Sequence, residues 1–199
     1  MFTQAIEIVY LIEFLMISIV RLIYTSPHRK LEILSNRTKP VDLVLLALIG
    51  LAMLAPLVYI FSGVLDFADY RLPGWTGWLG ALLFAAAIWL LWRSHVDLGR
   101  NWTPTLGLRD GHTLVTRGVY RSIRHPMYAA HLLWGVAQGM MLHNWIAGLS
   151  LIILLIPQYL LRVGDEEAMM LEKYGQVYRD YMQRTGRIVP RLPGLSRSD

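Results

Sequence analysis

An all-α integral membrane fold with five transmembrane helices is what this sequence predicts, on three observations. Hydrophobic residues make up 55% of the 199 and charged residues only 17%, against about 45–50% and about 25% in soluble domains. The surplus is gathered into runs near the roughly 20 residues that cross a hydrocarbon core of about 30 Å. Of the 19 Lys and Arg, all but Arg71 fall in segments that an odd number of spans would place on one side of the membrane.

The first run, residues 5–24, contains Glu7 and Glu13 and ends on Arg21-Leu22-Ile23-Tyr24. A cleaved signal peptide wants basic residues before its apolar stretch and small residues at the cut. Neither is present, so this run reads as an uncleaved span. Residues 41–65 form the second run, with a single proline, Pro56, and residues 75–92 form the third, without a charge. The fourth and fifth, 127–142 and 145–161, are separated only by His143-Asn144 and predict a tight helical hairpin. Beyond Arg162 the chain turns polar. There Leu171, Tyr174, Tyr178 and Tyr181 recur at helical spacing around Gly175 and predict a C-terminal amphipathic helix. Such a helix either covers a pocket or rests on the headgroups. The whole chain, 1–199, reads as a single membrane domain.

Charge orients the bundle. Basic residues cluster between the first and second runs, between the third and fourth, and after the fifth. Positively charged short loops stay in the cytoplasm, which predicts the N-terminus outside and the C-terminus cytoplasmic. The expected location is therefore a multi-pass integral membrane protein, in the inner membrane if the source is bacterial. The net charge of +5 is spread along a membrane face, where anionic lipid headgroups attract it, so no nucleic-acid partner and no obligate protein partner is expected. With no cysteine in the chain, disulfides, thiolate metal ligands and a cysteine nucleophile are excluded, and no metal site is predicted.

Two polar stretches on the cytoplasmic side, within 93–126 and 162–190, hold groups able to do chemistry. In the first, Gly111 and Gly118 permit turn conformations that a Cβ resists. Pro126 suits the first turn of a helix, so His125-Pro126-Met127-Tyr128 reads as the start of the fourth helix. Its unsatisfied N–H groups and positive dipole end can receive an anion, although an ordinary interfacial helix start has the same residues. In the second stretch, Arg162 and Glu166 are four apart and share a helical face. An isolated exposed pair of that kind contributes only about 0–1 kcal/mol, but this one sits where a span meets a second polar loop. Within the spans, Glu7, Glu13 and His131 are costly to bury and draw notice for that reason. Glu13 reads as a structural hydrogen-bonding residue ahead of a catalytic one. His131 reads equally as a groove-lining residue or a histidine bonded between helices.

Taken together these residues resemble the isoprenylcysteine carboxyl methyltransferase family, in its short prokaryotic form. The resemblance runs over roughly 95–190, through His112-Thr113-Leu114-Val115, Gly118-Val119-Tyr120 and Arg124-His125-Pro126-Met127-Tyr128. It continues through Arg162, Glu166-Glu167, Tyr174-Gly175, Tyr178 and Tyr181. It implies an S-adenosylmethionine site on the cytoplasmic side. By analogy His112, Thr113, Leu114, Val115, Tyr120, His125, Pro126, Met127, Tyr128 and Glu166 would hold the cofactor. Arg162 would orient the acceptor carboxylate as the catalytic and substrate-binding residue, and His131 is a further candidate for substrate contact. Where some members carry a glutamine seven residues before the His-Thr-Leu-Val motif, this chain has Thr105, which puts a cofactor contact there in question.

The implied chemistry suits so sparse a set of residues. A carboxylate is already ionised at neutral pH, so methylating it needs positioning more than a general base, and a guanidinium grips a carboxylate in a fixed fork. The implied substrate is lipophilic and reaches the site from the bilayer. An isoprenylcysteine-like acid is one acceptor; a small isoprenoid acid, a thiol or a lipid headgroup is another, and a thiol or amine would need a proton acceptor such as His131 or Glu13. An NADPH-dependent sterol-type reductase shares an Arg-His-Pro-x-Tyr motif but is usually a longer chain with more spans. A lipid-binding scaffold whose polar loops are only anchors is the non-catalytic alternative.

Overall fold

The computed structural model describes residues 2–25, 33–36, 39–102, 107–109 and 113–191. Its elements in chain order are α1 (Phe2–Thr25), β1 (Ile33–Asn36), α2 (Pro40–Ala52), α3 (Ala55–Ser62), α4 (Trp75–Leu98), β2 (Gly107–Arg109), α5 (Pro126–Leu142), α6 (Trp145–Tyr174) and α7 (Gln176–Arg184). Among the described residues, three helical stretches are long and apolar enough to cross a membrane: Pro40–Ser62, Trp75–Leu98 and Trp145–Tyr174. Helix α5 has 17 residues, and α1 has 24 but carries Glu7, Glu13 and Arg21.

Several boundaries differ from the sequence reading, each for a physical reason. The second run forms two helices rather than one. Pro56 has no N–H to give the carbonyl of Ala52 and its ring crowds that carbonyl, so α2 stops and α3 restarts, the Val58 N–H bonding to the Leu54 carbonyl at 3.0 Å. Gly63, at φ +63°, then ends α3 ahead of residue 65. Helix α4 continues past Trp92 to Leu98, supported by an Arg93–Asp97 ion pair of 2.8 Å one turn apart. Helix α6 continues past Leu161 to Tyr174, so Arg162, Glu166 and Glu167 stand on the same rigid helix as the fifth run. The all-α expectation gains an antiparallel ribbon, with Ile33 opposite Arg109, Ser35 opposite Leu108 and Asn36 opposite Gly107. There two linkers satisfy their backbone groups against each other.

The bundle is centred on α4 and α5. Helix α6 packs on α5, α1 leans on α4 and α5, and α2 and α3 lie along α6. Tyr10, Phe84 and Trp134 are fully buried at the middle, with the Phe84 and Trp134 rings stacked at 5.5 Å. In lipid, helices associate through close packing and interhelical hydrogen bonds. Both are present here. A Cβ on Gly148 would lie 3.1 Å from the Gly139 Cα, and Gln138 accepts the Tyr10 hydroxyl at 2.9 Å while donating to the Ala147 carbonyl at 2.7 Å. Exposed Ile8, Leu15, Leu43, Phe61, Leu82, Trp89 and Leu160 clothe the outside.

The predicted α5–α6 hairpin is formed. Asn144 caps α6 by accepting from the Ile146 and Ala147 N–H groups at 3.0 and 2.9 Å. Its amide donates to the Leu65 carbonyl and to Asp69 at 2.7 and 2.8 Å. The functional end of the bundle lies opposite this turn.

Candidate active site

At that end the start of α5, the second half of α6 and the chain on either side enclose a cavity of about 320 Å³. Thr113, Leu114, Val115, Tyr120, His125, Pro126, Met127, Tyr128, His131, Arg162 and Glu166 all line it. His112 and Thr105 lie outside the described residues.

One wall is the segment between α4 and α5. Gly118 adopts φ +60°, and a Cβ there would overlap the Asp97 carboxylate. That glycine lets the chain fold back on α4, where Asp97 accepts the Val119 N–H at 2.9 Å. The following 3₁₀ turn, Gly118–Arg121, turns Tyr120 inward to 7% exposure. Tyr181 of α7 donates its hydroxyl to the Tyr120 carbonyl at 2.6 Å. The chain after α7 then pairs with the chain before α5. The Arg124 N–H bonds to the Gly186 carbonyl and the His125 N–H to the Arg187 carbonyl, both at 2.8 Å. With Tyr178 and Tyr181 buried and lining the cavity, α7 covers the pocket.

Adjacent carboxylates on α6 divide the polar work. Glu167 is buried and holds the scaffold together: it accepts from Arg124 Nε at 3.0 Å and Arg187 Nη2 at 2.7 Å, and faces His125 Nε2 at 3.4 Å. Arg124 in turn donates to the carbonyls of Met182 (3.0 Å) and Thr185. Glu166 faces the cavity, accepting the Tyr128 hydroxyl at 2.7 Å and lying 3.5 Å from His125 Nδ1 and 3.6 Å from Arg162 Nε. Both His125 ring nitrogens therefore point at carboxylates, an arrangement that suits imidazolium, in which both nitrogens donate. Burial pulls the His125 pKa down, but the hydrogen bonds and charges of Glu166 and Glu167 outweigh it and raise the pKa above its ordinary value. Burial pushes the Tyr181 hydroxyl up to about 12, so it remains a donor.

The predicted Arg162–Glu166 pair forms, though not as an exposed surface pair: the two side chains are only 9% and 24% exposed. Their 3.6 Å separation exceeds a good hydrogen bond, and Arg162 Nε is buried without a hydrogen-bond partner among the described residues. His131 meets both descriptions offered for it, lining the cavity and bonding within the bundle. Its Nδ1 lies 2.7 Å from the Met127 carbonyl and must donate there, which leaves Nε2 as an acceptor facing Arg21 Nη1 at 3.4 Å. Glu13 is buried in α1, away from the cavity lining.

Sequence reasoning missed Arg21, Trp102, Gln158, Met169 and Met170, all of which line the cavity. Arg21 was read only as an orienting charge. Gln158 left the clearest overlooked signal, a lone amide in the fifth apolar run. The scaffold role of Arg124, Glu167 and Arg187 was also missed, because it depends on pairing across more than 40 residues between Arg124 and Glu167.

The sequence pattern of the isoprenylcysteine carboxyl methyltransferase (ICMT) family matches residues 78–172. Protein-S-isoprenylcysteine O-methyltransferase B of Arabidopsis thaliana is 28% identical over 143 residues, covering 71% of this chain and 73% of that protein. Over these residues the chain is similar to the isoprenylcysteine carboxyl methyltransferase family. Homo sapiens protein-S-isoprenylcysteine O-methyltransferase is 34% identical over 86 residues, covering 43% of this chain and 30% of that longer one. The solved structure of a eukaryotic intramembrane Ras methyltransferase, ICMT, shares the fold. Its TM-score is 0.55 at 23% identity, covering 89% of this chain and 61% of that one. The similarity marks the chain as a methyltransferase with apolar helices of membrane-spanning length, and both polar walls of the cavity up to Glu167 fall inside the matched region.

Proposed function

We propose that this methyltransferase uses S-adenosylmethionine to methylate the carboxylate of a lipophilic, isoprenylcysteine-like acceptor. It would work from a single five-span membrane domain with the N-terminus outside and the cavity at the cytoplasmic face. One observation carries the reading: Glu166, Tyr128, His125 and Arg162 converge at one end of a single cavity of about 320 Å³, within the range of about 300–1,000 Å³ typical of small-molecule sites.

The residues present fit the cofactor. Glu166 is a carboxylate acceptor for ribose hydroxyls or an amino group, and Tyr128 and His125 fix its direction. Thr113, Leu114, Val115, Tyr120, Pro126 and Met127 supply a mostly apolar wall, to which His112 would add the start of its motif. The N–H groups opening α5 suit a carboxylate. When bound, S-adenosylmethionine supplies a methyl group on a sulfonium, an electrophile that an ionised carboxylate takes with no proton to remove. Arg162 holds that acceptor carboxylate, with His131 beside it. Tyr178 and Tyr181 exclude water, which strengthens each of these polar contacts.

Titration calorimetry with S-adenosylhomocysteine on the detergent-solubilised full chain tests the reading. Binding in the micromolar range that weakens at least tenfold in Glu166→Ala is expected. No binding to the unmodified chain sinks the proposal.

A further inference from the structure

Residues 113–115, an apolar wall of the proposed cofactor site, line two cavities. One is the cavity of about 320 Å³. The other, of about 360 Å³, lies on the side of Asp97 and Arg117. A segment with open space on both faces forfeits the packing contacts that would otherwise fix it. Residues 113–116 form no helix or strand. Among the described residues, no backbone hydrogen bond ties 114–116 to another segment. Side chains must therefore place this wall.

Two polar residues four positions apart at the end of α4 do so. Asp97, held by Arg93 at 2.8 Å, accepts the Val119 N–H at 2.9 Å and fixes the far end. Asn101 fixes the near end with both halves of its amide. Its Oδ1 accepts the Thr113 N–H at 2.9 Å, and its Nδ2 donates to Thr113 Oγ1 at 3.2 Å. A primary amide suits this task because it presents an acceptor and a donor side by side. The amide is carried on a firm support: the 3₁₀ turn Gly99–Asn101 follows α4 directly, and the Gly99 N–H bonds to the His95 carbonyl. Neither Asn101 nor Thr113 is buried, so these two bonds lie outside the core that holds the bundle together.

We propose that Asn101 is a positioning residue, which clamps Thr113 and so holds the 113–115 wall where it closes on the cofactor. This rests on the S-adenosylmethionine reading above and adds to it a residue that acts only through Thr113.

Calorimetry with S-adenosylhomocysteine on the detergent-solubilised full chain tests the clamp with three variants. Asn101→Leu and Asn101→Ala remove both bonds. Asn101→Asp keeps both, since a carboxylate accepts from the N–H and from the hydroxyl, which rotates to donate. In the first two the Kd should rise about tenfold, the equivalent of about one net hydrogen bond. Stoichiometry and the unfolding midpoint of the ligand-free chain should stay those of the unmodified protein. Asn101→Asp should restore most of the affinity, and trypsin should cut ligand-free Asn101→Leu faster at Arg117. If one of the two fails to fold, the other carries the test; failure of both would make the clamp part of the folding core and overturn the proposal. So would an unchanged Kd, with or without a fall in stoichiometry or midpoint, because a structural role alone depletes competent protein without weakening it. Asn101→Asp binding as poorly as Asn101→Leu would show that the bonds to Thr113 are not what matters. In all these cases the unmodified chain still binds S-adenosylhomocysteine. If it does not, the cofactor reading fails and this inference fails with it.

Discussion

Tyr181 donates its hydroxyl to the backbone carbonyl of Tyr120 at 2.6 Å, fastening α7 to the loop between α4 and α5 across 61 residues of sequence. Both residues are buried and both line the cavity. Tyr181→Phe removes the donor and leaves a buried carbonyl unsatisfied, at a cost of about 1–3 kcal/mol. Thermal unfolding in detergent should drop by several degrees. An unchanged midpoint would mean that the contact holds nothing in place.

Glu167→Gln should be far more damaging than Glu166→Gln. Glu167 is the carboxylate that Arg124, Arg187 and His125 share, and the Arg124 side chain is only 7% exposed. Removing one partner of a buried ion pair costs about 3–5 kcal/mol, so folded yield and unfolding midpoint should fall steeply. Glu166 bonds mainly to Tyr128 and faces the cavity. Its glutamine variant should lose much less of the midpoint than Glu167→Gln while losing cofactor affinity. Equal thermal losses in the two variants would contradict this division.

The pairing of His125 predicts a pH dependence of stability. Burial lowers its pKa, but Glu166 and Glu167 raise it further than burial lowers it, to a net value above the ordinary 6.5. With the folded value above the unfolded one, the stabilisation is fully present below the unfolded pKa. It is lost as pH rises through the folded pKa. Unfolding midpoints of the cofactor-free chain should decline over that rise, and His125→Gln should flatten the decline. A profile with the same slope in both proteins would place the titration elsewhere.

How much of this was legible beforehand depends on the range of each interaction. The α5–α6 hairpin could be read because its signal is local, two polar residues between apolar runs, and Asn144 caps α6 with its own side chain. The set Tyr128, Arg162 and Glu166 was reachable because Arg162 and Glu166 share one helix and Tyr128 opens its neighbour. The break at Met53-Leu54 was under-read, since a proline inside an apolar run says only that a ladder bond is lost, not whether a helix bends or stops. Helices α4 and α6 outran their apolar stretches because helix formation does not end where hydrophobicity does: Arg93–Asp97 and Arg162–Glu166 carry them onward. The Arg124–Glu167–Arg187 cluster and the orphaned Gln158 amide exist only once α5, α6 and the chain after α7 are assembled.

Gly118→Ala should loosen the cavity loop. Its φ of +60° is unfavourable for alanine, and the new Cβ would meet the Asp97 carboxylate, which cannot easily withdraw because it is held by Arg93 and the Val119 N–H. Gly99→Ala is an internal control, at φ +54° with open space around the position. A positive φ costs an alanine on the order of 1–3 kcal/mol at each position. The excess loss in Gly118→Ala measures the collision, and trypsin should cut faster at Arg117 or Arg121. Equal losses and equal cleavage would show that Asp97 does not position the loop.

Arg162→Lys separates charge from geometry. Lysine keeps the positive charge but presents a single flexible ammonium, whereas the guanidinium offers donors in a planar fork that fits both oxygens of a carboxylate. The Arg162 side chain lines the cavity and is 9% exposed, and its Nε lies 3.6 Å from Glu166 with no hydrogen-bond partner among the described residues. If it orients the acceptor, kcat/KM should fall about 10²–10³-fold, comparable to loss of one preorganised donor in other active sites. S-adenosylhomocysteine affinity should stay within about twofold, because Glu166 keeps its bond to Tyr128. If calorimetry instead found cofactor affinity falling in step with kcat/KM, Arg162 would belong to the cofactor pocket through Glu166, and the acceptor carboxylate would need another partner.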